Sequence, residues 1–349
     1  MKNVKVYLLL TGFFISQNMT AQIKELKGAS LSPKEIDRFI AVQMDSLQIR
    51  ALSMALIKDN KIVYFKAAGT KNTQLQPVDE HTVFEAASMT KPMFAYIVLQ
   101  LAKEKTLNLD TPLYTYLPNN DIAYDKRYTL ITARMVLDHT TGFPNWRGDN
   151  KLTINFTPGT KFDYSGEGYE YLARVIEHLT GRKMEDLFQQ YIFKPMSVKN
   201  SSLTYNDYVA KHITDGITDT GERARNQPYR EARVSSSLYT EPREYAKFVI
   251  RLMKESADSK SIFQEMAVPQ IEIHEPNMDP NLKIAMGLGV FVEKTPYGTK
   301  YYHGGSNGNC YNSLFQIYKD QKIGLVYFMA GCKQWEFAVR LNKFLNTGK

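Results

Sequence analysis

Phe84-Glu85-Ala86-Ala87-Ser88-Met89-Thr90-Lys91-Pro92 is the stretch from which the rest of this chain can be read. An apolar run follows at once: Met93, Phe94, Ala95, Tyr96, Ile97, Val98, Leu99, Leu101 and Ala102. With almost no polar face, it predicts a helix buried on most sides. Proline is tolerated only in a helix's first turn, because it lacks an N–H and clashes with the turn before it. Pro92 therefore sets the helix start close to Ser88. Residues i and i+3 share a helical face, so Lys91 can reach the Ser88 hydroxyl. A serine hydroxyl needs a nearby base to become a nucleophile. Lysine can be that base once burial lowers its pKa. A helix N-terminus also offers free N–H groups and a positive dipole end to a developing oxyanion. The plain alternative is an N-cap serine followed by a solvated lysine. Ser-x-x-Lys is a short pattern, and Ser88–Lys91 is its only occurrence in the chain.

A chain of 349 residues can bury a sizeable core in one large or two smaller domains. Its start has the anatomy of a secretory signal peptide. Lys2 and Lys5 precede an apolar core, Val6 to Ile15, and Met19-Thr20-Ala21 ends in a small residue. The core is too short to span a bilayer, and no other stretch could do so. The expectation is cleavage near Ala21 and a periplasmic or secreted mature protein. Loss of Lys2 and Lys5 takes the formal charge from +8 to +6. The positive residues are scattered among acids, which disfavours nucleic-acid binding.

From Ser32-Pro33 a helix is expected to about Met44. Leu52–Ile57 and Ile62–Phe65 flank Asp59-Asn60 and read as a β-hairpin. Helices are expected at Thr132–His139, Gly168–Leu179, Met184–Ile192 and from Pro242 to about Lys254. Strands return at Ala285–Val292 and Lys300–His303. Tyr311–Lys319 and Lys322–Met329 then form a second hairpin, and Phe337–Leu345 a last amphipathic helix. Strands at both ends and helices between them imply an α+β fold. One antiparallel sheet is built from both chain ends (roughly 22–90 and 284–349) and flanked by helices, with a mostly helical region inserted (roughly 91–283). A hairpin centred on Gln321 sets Cys310 and Cys332 opposite each other. In an exported protein that favours a disulfide over two buried free thiols.

Two further stretches carry chemistry. Tyr164, in Lys161-Phe162-Asp163-Tyr164-Ser165-Gly166, is a loop tyrosine ahead of a helix. It can act as general acid or base if a cation lowers its pKa, or can simply pack. His303-Gly304-Gly305-Ser306 ends a strand, where two glycines allow close approach of a backbone or substrate. Gly304 to Gly308 also fits Gly-x-Ser-x-Gly. The nucleophile elbow needs a strand–turn–helix context and a later histidine, whereas a strand follows Ser306 and His303 precedes it. His139 and His178 read as structural. No His-Glu-x-x-His spacing is present, and neither metal nor cofactor is expected.

Ser-x-x-Lys, then a Tyr-Ser loop, then His-Gly-Gly on a late strand resembles the serine β-lactamase and penicillin-binding-protein superfamily. The chain looks most like the branch holding class C β-lactamases, D-alanyl-D-alanine carboxypeptidases and β-lactamase-like esterases. Leu107-Asn108-Leu109-Asp110-Thr111-Pro112, Leu137-Asp138-His139-Thr140-Thr141-Gly142, Pro158 to Ser165 and Ser237-Leu238-Tyr239-Thr240 resemble family stretches in the expected order. The resemblance implies that Ser88 is the acylated nucleophile, that Lys91 takes its proton, and that Tyr164 shares acid–base duty. It implies an oxyanion hole from the N–H groups of Ser88 and Ser306, with Gly304, Gly305 and Gly166 lining the substrate. Two positions depart from the pattern. Gly166 stands where the family has the asparagine of Tyr-x-Asn, removing a carboxamide. His303 stands where β-lactamases usually have lysine, removing a fixed charge. The expectation is an exported serine hydrolase of an ester or D-amino-acid amide, its substrate a small molecule or derived from peptidoglycan. A penicillin-binding sensor that acylates without turnover, or a β-lactamase, is the alternative.

Overall fold

The computed structural model describes residues 23–24, 30–218, 220–274 and 282–348, so the signal-peptide stretch lies outside the described residues. The main sheet is antiparallel. Its strands are β1 (Ala51–Lys58), β2 (Lys61–Gly69), β3 (Ile271–Glu272), β4 (Lys283–Met286), β5 (Phe291–Thr295), β6 (Gly298–Asn307), β7 (Tyr311–Tyr318) and β8 (Ile323–Ala330). In space they run β2-β1-β8-β7-β6-β5-β4-β3. The N-terminal hairpin thus lies beside the last strand, and the sheet is closed by residues from both chain ends, as the strand pattern predicts.

Period-two alternation explains why the central strands are apolar throughout. Ala51, Ala55 and Ile57 face one core with Val326, Phe328 and Ala330. Leu52, Met54 and Leu56 face a second core with Leu325, Tyr327 and Met329. Helix α1 (Pro33–Ser46) covers that second face. Its start is fixed by a capping box in which Ser32 and Glu35 satisfy each other's backbone N–H. The terminal helix (Gln334–Thr347) lies alongside, and Phe39 stacks on Phe344 at 4.2 Å. On the opposite face lies α2 (Thr90–Lys103), buried from Thr90 to Leu99, which is why it shows no polar side. Helices α3 (Gly166–Thr180) and α4 (Pro242–Glu255) complete that layer.

One expected element is corrected. Ala285–Val292 is not a single strand: β4 ends at Met286, and β5 begins at Phe291 after a tight turn. Gly287 donates its N–H to Val290 O at 2.8 Å. Gly289 has φ +83°, and a Cβ there would lie 2.4 Å from Ala95 Cβ on α2. Glycine is the residue that fits both the dihedral and the gap. The sheet also takes in Ile271–Glu272, earlier than expected, and Met184–Phe188 ends in a π-helical turn over Gln189–Phe193. Cys310 and Cys332 are joined in a disulfide.

Candidate active site

Ser88 sits in one turn of 3-10 helix, Ala87–Met89, that leads into α2. It is not an N-cap, since neither helix start carries a side-chain cap. Ala87, just before it, is in the left-handed region at φ +50°. That conformation costs an alanine roughly 1–2 kcal/mol, so the surroundings must hold it. They do so through hydrogen bonds to its backbone from several sides. Ala86 N–H donates to Leu238 O at 2.7 Å, and Ser313 Oγ donates to Ala86 O at 2.8 Å. Thr90 Oγ1 donates to Ala87 O at 2.7 Å and accepts from Leu238 N–H at 3.1 Å. Tyr245 Oη donates to Met89 O at 2.9 Å. The serine is thus presented by a rigid elbow pinned to β7, α4 and the Leu238 segment.

Lys91 is fully buried. Its Nζ lies 3.2 Å from Ser88 Oγ and donates to Ser235 O at 2.8 Å. Burial brings its pKa down to about 7, against a smaller upward pull from Glu170. At neutral pH a substantial fraction is therefore free amine, with a lone pair beside the serine proton. Glu170 is tied to Ser235, accepting from its backbone N–H at 3.1 Å and from its hydroxyl. Neither Glu170 nor Ser235 was expected from local spacing. The one available signal was the Ser235-Ser236-Ser237 run ahead of Leu238.

Tyr164 and His303 converge on the same point from 139 residues apart, with Tyr164 Oη 3.5 Å from His303 Nε2. His303 Nδ1 lies 2.6 Å from Gly304 O. A carbonyl only accepts, so Nδ1 carries the proton and Nε2 is left as an acceptor for the tyrosine hydroxyl. Burial, with the Lys91 charge nearby, lowers the His303 pKa to about 3, so the imidazole is neutral. The expectation that a cation would lower the Tyr164 pKa is corrected. Burial raises it above the ordinary tyrosine range, more than the hydrogen bond from Ser88 lowers it. The phenol stays protonated and can relay a proton, while Lys91 is the group placed to remove one. Lys91 Nζ also lies 4.7 Å from the centre of the Tyr164 ring.

His139 supports this tyrosine from behind. Its ring stacks on Tyr164 at 4.2 Å and on Tyr169 at 5.1 Å. Nδ1 accepts the Ser165 N–H at 3.0 Å, and Nε2 has no hydrogen-bond partner. Burial, then Lys91 and His303, keep its pKa well below the usual histidine range. His178 lies exposed on α3.

β5 pairs with β6 only as far as Tyr302, so the following residues run past Ser88 along an edge free of a strand partner among the described residues. A Cβ on Gly305 would lie 2.3 Å from Ala86 O and 3.0 Å from Ser88 N. This glycine lets the strand edge meet the elbow, and Ser306 follows it on the same edge. Gly304 lies against Gln334 and the Ser313 carbonyl, turned from the elbow. Gly166 opens α3, where Ser165 Oγ caps Gly168 N–H at 3.0 Å. Among the described residues no group of three His, Cys, Asp or Glu side chains could hold a metal ion, and no helix is long and apolar enough to cross a membrane.

Comparison with known proteins bears on the fold and the family. The chain is 24% identical over 204 residues to Protein flp of Staphylococcus aureus (strain MW2), covering 53% of this chain and 41% of that protein. It thus spans well under two thirds of that relative's length. The octameric penicillin-binding protein homologue from Pyrococcus abyssi superposes with a TM-score of 0.76 at 21% identity, over 90% of this chain and 77% of that one. A class C β-lactamase superposes with a TM-score of 0.78 at 15% identity, over 90% and 96%. At such identities these likenesses fix the fold. The Beta-lactamase family model matches residues 36–342, and the chain belongs to that family.

Proposed function

We propose that the protein is a serine hydrolase that works through an acyl-enzyme on Ser88, acting on an ester or a D-amino-acid amide. The observation that carries this reading is the fully buried Lys91, its pKa near 7, 3.2 Å from Ser88 Oγ. In the first step Ser88 Oγ attacks the substrate carbonyl as its proton passes to the Lys91 amine. The tetrahedral oxyanion is held by the Ser88 and Ser306 N–H groups. The Tyr164 hydroxyl passes a proton to the leaving group as the Lys91 ammonium gives up its own to replace it. Water, deprotonated by the restored Lys91 amine, then attacks the acyl carbonyl, and Ser88 Oγ leaves with a proton as the acid is released. Neutral His303 and the bare Gly166 favour an ester over a carboxylate-bearing β-lactam or peptide. Residues 1–21 would export the chain, and a Cys310–Cys332 disulfide suits an oxidising compartment.

A penicillin-binding sensor is the second reading, favoured by the same two departures at Gly166 and His303. Intact-mass measurement with a fluorescent penicillin and with a p-nitrophenyl short-chain ester, beside Ser88→Ala, decides between them. Ester release without a lasting penicillin adduct supports the esterase. A stable stoichiometric adduct without release supports the sensor. Undiminished hydrolysis by Ser88→Ala would sink both.

A further inference from the structure

Two residues after Tyr164, the space beside Gly166 is filled by a side chain from another segment. A Cβ on Gly166 would lie 2.8 Å from Trp146 Cη2, 2.9 Å from Trp146 Cζ2 and 2.9 Å from Asn145 O. The outer edge of an indole therefore occupies the place where residue 166 would project a side chain. Trp146 is nonetheless 46% exposed, a large apolar surface left open to solvent against Gly166, which lies two residues along the chain from Tyr164.

This placement is held by polar contacts on both sides of the tryptophan. Asn145 O accepts from the N–H groups of Gly166 and Glu167 at 3.1 and 3.2 Å, and Asn145 Oδ1 accepts from Gly166 N–H at 3.1 Å. Arg147 N–H donates to Glu167 Oε1 at 3.2 Å, and its guanidinium donates to Asp121 Oδ2 at 2.8 Å. Two consequences follow. The indole is anchored to the start of α3. The first N–H groups of that helix, which could have bound a substrate carbonyl, are already taken.

We propose that Trp146 is a specificity-determining residue, giving the cleft an apolar flank that selects substrates with an apolar or aromatic group beside the scissile carbonyl. It disfavours substrates with a secondary amide there. The physical reason is asymmetric. An aromatic group gains buried apolar area and ring contact against the indole. The N–H of an amide placed on the same surface gives up water without finding an acceptor there, because an indole offers a donor only.

The inference rests on the acyl-transfer reading above, and the test separates the two. The kcat/KM values of p-nitrophenyl phenylacetate and the p-nitrophenyl ester of N-acetylglycine are measured for the wild-type protein, Trp146→Ala and Trp146→Phe. The wild type should prefer the phenylacetyl ester. Trp146→Ala should lose about tenfold or more on it, with little change on the amide-bearing ester, and Trp146→Phe should keep most of the preference. An unchanged ratio of the two esters in Trp146→Ala overturns the proposal. If no ester is turned over, the acyl-transfer reading fails, and fluorescence decides the fate of Trp146 by itself. The chain has two tryptophans, Trp146 and Trp335, so Trp335→Phe leaves Trp146 as the single indole. Saturable change of its emission with phenylacetate and not with N-acetylglycine supports the apolar flank. No change with phenylacetate, or equal change with both, overturns it.

Discussion

Lys91 reaches two oxygens at once: Ser88 Oγ at 3.2 Å and the Ser235 carbonyl at 2.8 Å. The carbonyl orients an amine that burial has brought to a pKa of about 7. The unprotonated form is the base, so its fraction rises with pH. The acylation rate should climb about tenfold per pH unit below 7 and level off above it. His303, with a pKa of about 3, stays neutral across this range, and Tyr164 stays protonated. The profile should therefore show one ionisation between pH 5 and pH 9, those limits being about the range of a practical assay. Glu170 pulls the lysine pKa up, so Glu170→Gln should move the midpoint to lower pH. A flat acylation profile across neutrality would remove Lys91 from the role of base.

Replacing the same lysine should stabilise the protein while ending catalysis. Burial lowers the folded-state pKa below the unfolded value, so the unfolded chain binds more protons and native stability rises with pH from about 7 to about 10. Below that window the native state carries the full cost of a buried cation. Lys91→Met removes it without leaving a large cavity. Thermal melts at pH 6 should show a higher Tm than wild type, and the gain should shrink toward pH 10. An equal or lower Tm at pH 6 would mean that the ammonium is better paired than its contacts indicate.

Gly305 is where the strand edge touches the elbow. Gly305→Ala places a methyl 2.3 Å from Ala86 O and 2.4 Å from Ser313 Oγ. Either β6 or the Ser88 turn must move, and the Ser88 and Ser306 N–H groups separate. A drop of about a hundredfold in kcat is expected, larger than any change in KM, because the loss falls on transition-state stabilisation. Wild-type kcat in this variant would show that the two segments do not have to meet.

The disulfide closes the β7–β8 hairpin, linking residues 22 apart in sequence. Cross-linking a loop of that size stabilises by about 3 kcal/mol, chiefly by restricting the unfolded chain. Cys310→Ser with Cys332→Ser should lower the denaturation midpoint accordingly, and added reductant should lower the wild-type midpoint to match. A double variant as stable as the oxidised wild type would contradict this.

Features that depend on neighbours within a few residues are legible in the order of the amino acids. The spacing of Ser88, Lys91 and Pro92 places Ser88 at the head of α2, because helical geometry and proline sterics act locally. The short apolar runs Leu52–Ile57 and Lys322–Met329 mark both as strands. The hairpin expected to centre on Gln321 pairs Tyr311 with Ala330 instead, so Cys310 faces Gly331 and its disulfide reaches the next residue, Cys332. Ala285–Val292 misled because a continuous apolar run hides a turn whose need for Gly289 comes from Ala95, far away in the chain. The electrostatics came from packing between distant segments. Lys91 has a lowered pKa because segments distant in sequence bury it, and Tyr164 resists ionisation for the same reason. Such packing also decided that the space above Gly166 belongs to Trp146, a loop residue whose position follows from its neighbours' contacts to α3 rather than from any periodicity. Local order can be read from short-range sterics, whereas dielectric environment and loop placement are set by contacts between segments that the sequence does not list side by side.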